Sequence, residues 1–237
     1  MTPSSFDSNI AFLPETRFGF WFLGTGTWTK HVLSAALDDL ERLIPGRRAA
    51  YPIVLDVGCG QGNSFRLLID HFAPQRLIAI DAEEKCIRRA EVEASKETVP
   101  IELQHRDIAV LALPDASVDL VFCHQTFHHL TRQHVALQQF YRVLKPGGLL
   151  LFAESTRAYI QSWIIRLLFR HPMNAQHSAP EYIAMIRDQG FILGPENVSL
   201  PYLWWSRPDL GALEFFGLTV RAKQEETLIN LAAVKPK

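Results

Sequence analysis

Residues 53 to 64, IVLDVGCGQGNS, place an apolar run directly before three glycines at alternate positions. The apolar run is typical of a strand that helices cover on both faces, because parallel strands in such sheets are almost continuously apolar. The glycines permit backbone angles and close approaches that a Cβ atom forbids. Asn63 and Ser64 are suitable caps for a following helix, whose first N–H groups would face a ligand above the turn. The segment therefore predicts a strand, a tight turn and a helix that bind a nucleotide-like ligand.

The spacing of the glycines narrows the class of nucleotide. They fall as G-x-G-x-G, whereas the dinucleotide fingerprint is G-x-G-x-x-G, and Asp56 stands two residues before the first glycine. Further segments that are typical of strands in the same sheet follow in order along the chain. They are the strand Leu77 to Ile80 ending in Asp81, the strand Ile101 to Gln104 with Arg106-Asp107-Ile108, the strand Ser117 to Phe122, and Arg142 to Gly148 before the strand Leu149 to Phe152.

This ordered set, covering residues 53 to 154, resembles the class I S-adenosylmethionine-dependent methyltransferases. The resemblance implies an α/β fold with a doubly wound, mostly parallel seven-stranded sheet, helices on both faces and an antiparallel last strand. It implies Ser199 to Trp205 and Thr227 to Val234 as the final strand pair, and S-adenosylmethionine as the cofactor. The cofactor-binding residues expected on this basis are Asp56, Gly58, Gly60, Gly62, Asp81, Ala82, Asp107, Ile108, Cys123, His124 and Gln125.

Helical and strand periods alternate along the chain, which independently indicates a parallel sheet between helices. Apolar residues recur at helical spacing in His31 to Ile44 and in Thr131 to Leu144, and Pro180 to Gln189 is a further helix. Glu83 to Lys96 is charged and is expected on the outside. At 237 residues and 48% hydrophobic content, residues 1 to 237 are expected to form a single domain.

The charge, the cysteine spacing and the N-terminal residues indicate which partners and which cellular location to expect. The formal net charge of -1 provides no basic surface for nucleic acid. Cys59, Cys86 and Cys123 lack the spacing of a metal or disulfide framework, and the N-terminus lacks the features of a signal peptide. A cytoplasmic location is expected.

Two segments lie outside the shared pattern and are expected to contact the methyl acceptor. Residues 1 to 30 are aromatic and broken by glycines, which suits either a lid over the cofactor or simple packing. Residues 155 to 180 contain the apolar stretch 159 to 170, which suits a helix over the active-site mouth or, less well, a helix at a membrane surface. The expected acceptor-binding residues are Trp21, Trp28, Tyr159, Trp163, Tyr182 and Trp204.

His124 and His128 follow the fourth strand, where open parallel sheets bind ligands. Their i, i+4 spacing occurs at a strand end rather than on a helix and lacks further metal-ligating partners, so no metal site is predicted. A methyl acceptor that carries a proton needs a base, and histidine titrates near neutral pH. His128 is the first candidate, followed by His124 and Glu154; each is equally suited to hydrogen bonding alone.

The favoured function is methyl transfer to a small aromatic or apolar metabolite. One alternative is a lipid or quinone methyltransferase at a membrane surface. Others are an NAD(P)-dependent oxidoreductase, since Asp81 would also suit a nicotinamide ribose, and a protein that senses the cofactor without catalysis.

Overall fold

The computed structural model describes residues 15–201, 216–217 and 226–237. The strands in this part of the chain form one seven-stranded sheet in the order β3-β2-β1-β4-β5-β7-β6. Only β7 runs antiparallel to its neighbours β5 and β6, and the other pairs are parallel. The expected sheet and its antiparallel strand are confirmed. The strands are β1 Ile53–Val57, β2 Arg76–Asp81, β3 Ile101–His105, β4 Val118–His124, β5 Leu144–Ser155, β6 Val198–Ser199 and β7 Leu228–Val234.

Successive side chains of each strand enter opposite faces of the sheet, and both faces are apolar. Leu55 of β1 belongs to a buried cluster with helices α6 and α9, whereas its neighbour Val54 belongs to a cluster with α3, α4 and α5. The sheet is therefore covered on both sides. The helices of this core are α3 Ala35–Leu43, α4 Phe65–Phe72, α5 Glu84–Ala94, α6 Gln133–Val143 and α9 Ala179–Asp188.

The remaining helices are short, and most of them belong to the two segments outside the shared pattern. They are α1 Arg17–Leu23, α2 Gly26–Trp28, the π-helix Thr29–Ser34, the 3₁₀ helices Phe127–His129 and Pro195–Asn197, α7 Arg157–Ile160 and α8 Trp163–Leu168. The single helix expected over 159 to 170 is wrong, because Ser162 adopts an extended conformation that separates α7 from α8. Helix 31 to 44 likewise begins as a π-helix. No helix among the described residues is long and apolar enough to cross a bilayer.

The final strand pair is only partly described. Strand β7 is present as expected, but β6 covers only Val198–Ser199, so the strand expected from Ser199 to Trp205 does not continue through residues 200 and 201; its remaining residues, 202–205, lie outside the described residues. The pairing of Val198 with Leu231 fixes the register of this edge.

Candidate active site

The glycine turn follows β1 and lies at the carboxyl edge of the sheet. The N–H groups of Gly58 and Cys59 both donate to the carbonyl of Ile80, which joins the turn to the end of β2. Gly60 has a φ of +54°, and a Cβ atom built on it would meet nothing within 4 Å. The backbone at Gly60 therefore borders open space, as expected for a turn over which a ligand lies.

A side chain is excluded at the other two glycines for a different reason. A Cβ on Gly58 would lie 2.2 Å from the side chain of Thr126, and one on Gly62 would lie 2.7 Å from the ring of Phe65. Gly62 thus allows the turn to pack against the helices, so its predicted role in cofactor binding is indirect.

Asp81 ends β2 and faces the turn. Its Oδ2 accepts a hydrogen bond from the N–H of Gly60 at 2.9 Å, and its Oδ1 accepts one from the N–H of Glu83 at 2.8 Å. Burial raises the pKa of Asp81 to about 6. Each carboxylate oxygen retains a lone pair that can accept a further hydrogen bond from a hydroxyl group.

Asp56 lies behind the turn and is 2% exposed. Burial raises its pKa to about 7, although the Ser64 hydroxyl donates to its Oδ2. The expectation that Ser64 and Asn63 cap α4 is wrong: Ser64 makes no cap bond, and Asn63 donates instead to the carbonyl of Leu23 at 2.7 Å. Both side chains hold the turn in place.

Asp107 follows β3 and is held on two sides. Its Oδ1 accepts from the N–H of Ala109 at 2.8 Å, and its Oδ2 lies 2.7 Å from a guanidinium nitrogen of Arg132. The next residue, Ile108, is buried. An acid and an apolar side chain at this point suit a ligand that has a polar edge and a flat apolar face.

A continuous cavity of about 490 Å³ joins these residues to the segments outside the core. This volume falls within the range of small-molecule sites. Its glycine wall comprises Asp56, Gly58, Gly60, Asp81, Ala82, Asp107 and Ile108, and its histidine wall comprises His128, His129, Tyr159, Phe169 and His171.

The N-terminal segment is tied down over this cavity. The amide nitrogen of Gln61 donates to the carbonyl of Phe20 at 2.6 Å, which links α1 to the glycine turn. The Thr16 hydroxyl donates to the carbonyl of Leu168 at 2.8 Å, which links α1 to α8. The rings of Phe22 and Phe169 lie 6.3 Å apart. The two segments thus meet above the cavity rather than packing independently.

His128 of the histidine wall forms a buried pair with Glu154, which lies beneath the cavity lining. Nδ1 of His128 lies 2.5 Å from Oε2 of Glu154. The other carboxylate oxygen accepts from the N–H groups of Thr126 at 2.8 Å and Phe127 at 2.7 Å. These bonds fix the orientation of the imidazole and assign its proton to Nδ1, so that Nε2 is free to accept. His128 lines the cavity; Glu154, which is fully buried, does not.

His124 lies between two aromatic rings and has a different environment. The ring of Phe122 is stacked on it at 5.9 Å, and that of Trp28 lies 5.8 Å away. Burial lowers the pKa of His124 to about 3, and its Nε2 has no hydrogen-bond partner among the described residues. Such an imidazole is a poor proton acceptor at neutral pH, but it offers a hydrogen bond to a ligand.

His129 and His171 of the histidine wall, and Glu15 beside them, were not among the site residues expected from the sequence. Nε2 of His129 lies 3.2 Å from Oε1 of Glu15, and the His129 and His171 rings lie 4.8 Å apart. Burial lowers the pKa of both histidines, that of His171 to about 3. Ligand atoms of His128, His129 and His171 lie within 4.8 Å of one another, whereas tetrahedral zinc needs about 3.4 Å between nitrogens. The cluster is thus more open than a zinc site.

Comparison with known proteins identifies the fold that carries this site. A family model described as a methyltransferase domain matches residues 55–152. A solved S-adenosylmethionine-dependent methyltransferase from Mesorhizobium loti superposes with a TM-score of 0.62 at 18% identity, over 90% of this chain and 99% of that one. A solved complex between a methyltransferase and the Trm112 methyltransferase activator of Haloferax volcanii superposes with a TM-score of 0.67 at 18% identity, over 92% of this chain and 93% of that one.

This chain has the fold of a class I S-adenosylmethionine-dependent methyltransferase. The family implies S-adenosylmethionine as the methyl donor, and the glycine wall offers open space above Gly60, the carboxylates of Asp81 and Asp107 and the apolar surface of Ile108 to such a nucleoside. Relatives in sequence have diverse names. The chain is 34% identical over 110 residues to one from Mycolicibacterium smegmatis named a probable S-adenosylmethionine-dependent methyltransferase, covering 46% of this chain and 40% of that one.

Two other relatives have names that state an activity. A trans-aconitate 2-methyltransferase of Azoarcus is 29% identical over 52% of this chain and 49% of its own. An S-adenosyl-L-methionine-dependent Diels-Alderase of Talaromyces variabilis is 31% identical over a region that covers 62% of this chain and 51% of that one. This chain spans about half or less of the length of these relatives.

The cavity includes only some of the expected acceptor-binding residues. Trp28 and Tyr159 line it. Trp21 and Trp163 point away, being 63% and 71% exposed, because they lie on the outer sides of α1 and α8. Tyr182 is fully buried and packs against Phe152 in the core. Trp204 lies outside the described residues.

The expected cofactor-binding residues of this methyltransferase fold are mostly brought together. All of them line the cavity except Gly62 and Cys123. Cys123 is fully buried, with its thiol 3.7 Å from Oε1 of Glu154, so it belongs to the core beneath the site. Alternation along β4 explains this placement, because His124 faces the cavity side and its neighbour faces away.

Proposed function

We propose that this protein transfers a methyl group from S-adenosylmethionine to a small, uncharged, apolar acceptor that carries an ionisable hydroxyl group. The observation that supports this choice is the charge of the cavity lining. Among the described residues the lining includes the carboxylates of Glu15, Asp56, Asp81, Glu83 and Asp107, and it includes no lysine or arginine.

An anionic acceptor would be poorly held in such a cavity. Burying a carboxylate or phosphate without a cationic partner costs several kcal/mol. The neutral imidazoles of His124 and His129 instead offer hydrogen bonds to uncharged oxygen, and the rings of Trp28, Tyr159 and Phe169 supply apolar surface. This distinguishes the proposed acceptor from trans-aconitate, which is a polyanion.

His128 and Glu154 would handle the acceptor's proton. S-adenosylmethionine, when bound, supplies an electrophilic methyl group on a sulfonium centre. Nε2 of His128 would take the proton of the acceptor hydroxyl, and Glu154 would stabilise the resulting imidazolium through Nδ1. Bonding of that oxygen to the methyl carbon would break the methyl–sulfur bond and release S-adenosylhomocysteine. Glu154 is a positioning residue, since it does not reach the cavity.

Calorimetry with S-adenosylmethionine, S-adenosylhomocysteine and NAD tests the cofactor, and turnover with labelled methyl donor tests the reaction. We expect both adenosyl ligands to bind and NAD not to bind. Tight binding of NAD would support the oxidoreductase alternative. Binding of S-adenosylmethionine without methyl transfer to any hydroxyl acceptor would support a sensor, or a non-methylating reaction such as the fungal relative's name states.

A further inference from the structure

Among the described residues, exposed large apolar side chains are concentrated at one place. Half of the ten such residues in the described part of the chain lie in two short segments, 17–23 and 163–173. Trp163 and Leu167 of α8 are 71% and 73% exposed, and Trp21 of α1 is 63% exposed; Phe18 and Met173 are less so. Scattered exposed apolar residues need no explanation, but a concentration of them marks an interaction surface.

The two segments form one surface because α1 and α8 are neighbours. The ring of Phe18 lies 5.7 Å from that of Phe169, and the hydrogen bond from Thr16 to Leu168 joins the helix ends. Gly19 is buried between them, and a Cβ there would lie 3.1 Å from the Phe169 ring. We call the exposed side chains of 17–23 and 163–173 the aromatic surface.

Charge at the aromatic surface has one sign. Residues 16–37 and 155–180 contain no aspartate or glutamate. Arg17, Arg166 and Arg170 are exposed, and none of them forms an ion pair with a carboxylate in the described residues. Tryptophan with arginine is the composition of helices that lie in the interface of an anionic bilayer.

We propose that the aromatic surface docks on an anionic phospholipid bilayer. Helices of seven and six residues are too short to enter deeply, so α1 and α8 would lie in the headgroup region with the arginines against lipid phosphates. Among the described residues these three arginines form no ion pair, and the neighbouring carboxylate of Glu15 is turned inward to His129. Exposed arginines without carboxylate partners suit lipid phosphates better than an apolar protein partner or a second copy of this chain.

Docking there would place the cavity next to the bilayer. Phe22, Leu168 and Phe169 belong to the same two segments and line the cavity. An apolar acceptor dissolved in the bilayer would then reach His128 without crossing water. This last step rests on the proposed function, whereas docking itself is measured without any methyl donor or acceptor, so the two ideas fail separately.

Sedimentation of the whole protein with vesicles tests the docking. We expect binding to phosphatidylcholine vesicles that contain about 30% phosphatidylglycerol, weaker binding to phosphatidylcholine alone, and loss of binding as salt rises. The Arg166→Glu/Arg170→Glu pair should reduce partitioning more than about tenfold. Trp163→Ser/Leu167→Ser should reduce it by about tenfold.

Matched controls lie in the second half of α5, outside the two segments that form the aromatic surface. Val92 is 54% exposed, and Arg89 is exposed, so Val92→Ser and Arg89→Glu change the same properties elsewhere and should leave vesicle binding unchanged. Equal thermal unfolding of all variants shows that folding is intact. Absence of parental binding, or equal losses in the control variants, would overturn the proposal. So would self-association that the Trp163 and Leu167 substitutions abolish while vesicles remain unbound, since that result identifies a second copy as the occupant.

Discussion

The carboxylate of Glu154 lies 2.5 Å from Nδ1 of His128, and it is fully buried below the cavity. Because this carboxylate also accepts two backbone N–H bonds, it stays in place when the imidazole changes protonation. The pair therefore leaves the imidazole lone pair on Nε2 of a histidine that lines the cavity.

Removal of that nitrogen's basicity should slow the chemical step. His128→Gln keeps a hydrogen-bonding side chain but cannot take a proton at neutral pH, so kcat should fall about 10²- to 10⁴-fold with little change in cofactor affinity. Glu154→Gln should lower kcat less, because the base remains but is oriented less well. The control is His134→Gln on the exposed side of α6. Near-parental kcat in His128→Gln would leave proximity and desolvation as the source of the rate.

Asp81 should carry much of the cofactor affinity. Asp81→Ala leaves ribose hydroxyl groups unpaired in a buried site, which should weaken S-adenosylmethionine binding by about 2 to 3 kcal/mol, or roughly a hundredfold. Gly60→Val should be worse, because its side chain enters the open space above the turn. Calorimetry measures both, with the exposed Asp70→Ala as control. Parental affinity in Asp81→Ala would contradict the assigned cofactor site.

Asp56 should make the ligand-free protein less stable as pH rises. Its pKa is raised by burial from 3.8 to about 7, so the folded state binds the proton more tightly than the unfolded state. The free energy of unfolding should therefore fall as pH rises from about 4 to about 7. Above pH 7 this group should cause no further loss of stability. Asp56→Asn should therefore raise the free energy of unfolding by about 1 to 4 kcal/mol at pH 7.5 and by much less at pH 4. Urea unfolding at both pH values checks this; an equal change at both would show that charge is not the cause.

The link between the glycine turn and α1 should affect turnover more than cofactor binding. Gln61→Ala with Asn63→Ala removes the two hydrogen bonds to the carbonyls of Phe20 and Leu23. We expect kcat/KM for the acceptor to fall about tenfold or more, because water enters the cavity when the segment opens. Asn174→Ala is the exposed control. Deletion of residues 1–30 should lower kcat/KM for the acceptor further. Undiminished turnover after the deletion would show that this segment only packs against the domain.

The part of the fold that is encoded locally could be predicted from sequence. Asp56, the glycines and Asp81 lie at the ends of adjacent parallel strands, so chain order alone brings them together. Aromatic residues were less informative. Tyr182 and Trp163 are both large and aromatic, yet one is core and the other is exposed, and only the packing of α9 and α8 decides which.

The histidine wall could not be predicted for a related reason. His171 reaches His129 because Gln176 donates to the carbonyl of His128 at 2.9 Å and holds the loop after α8 against the strand ends. Glu15 reaches the same place from the opposite end of the chain. No local spacing encodes contacts between segments that lie so far apart in sequence.

A competition between matched acceptors tests the central claim most directly. Pairs of a phenol and a benzoate that share one apolar substituent, varied in size across the set, are offered together with labelled S-adenosylmethionine. The absence of lysine and arginine from the described lining predicts label on the phenol oxygen, with a preference of roughly a hundredfold over the carboxylate. Equal or greater labelling of the benzoate, or labelling of neither member in every pair, would contradict the proposed reaction.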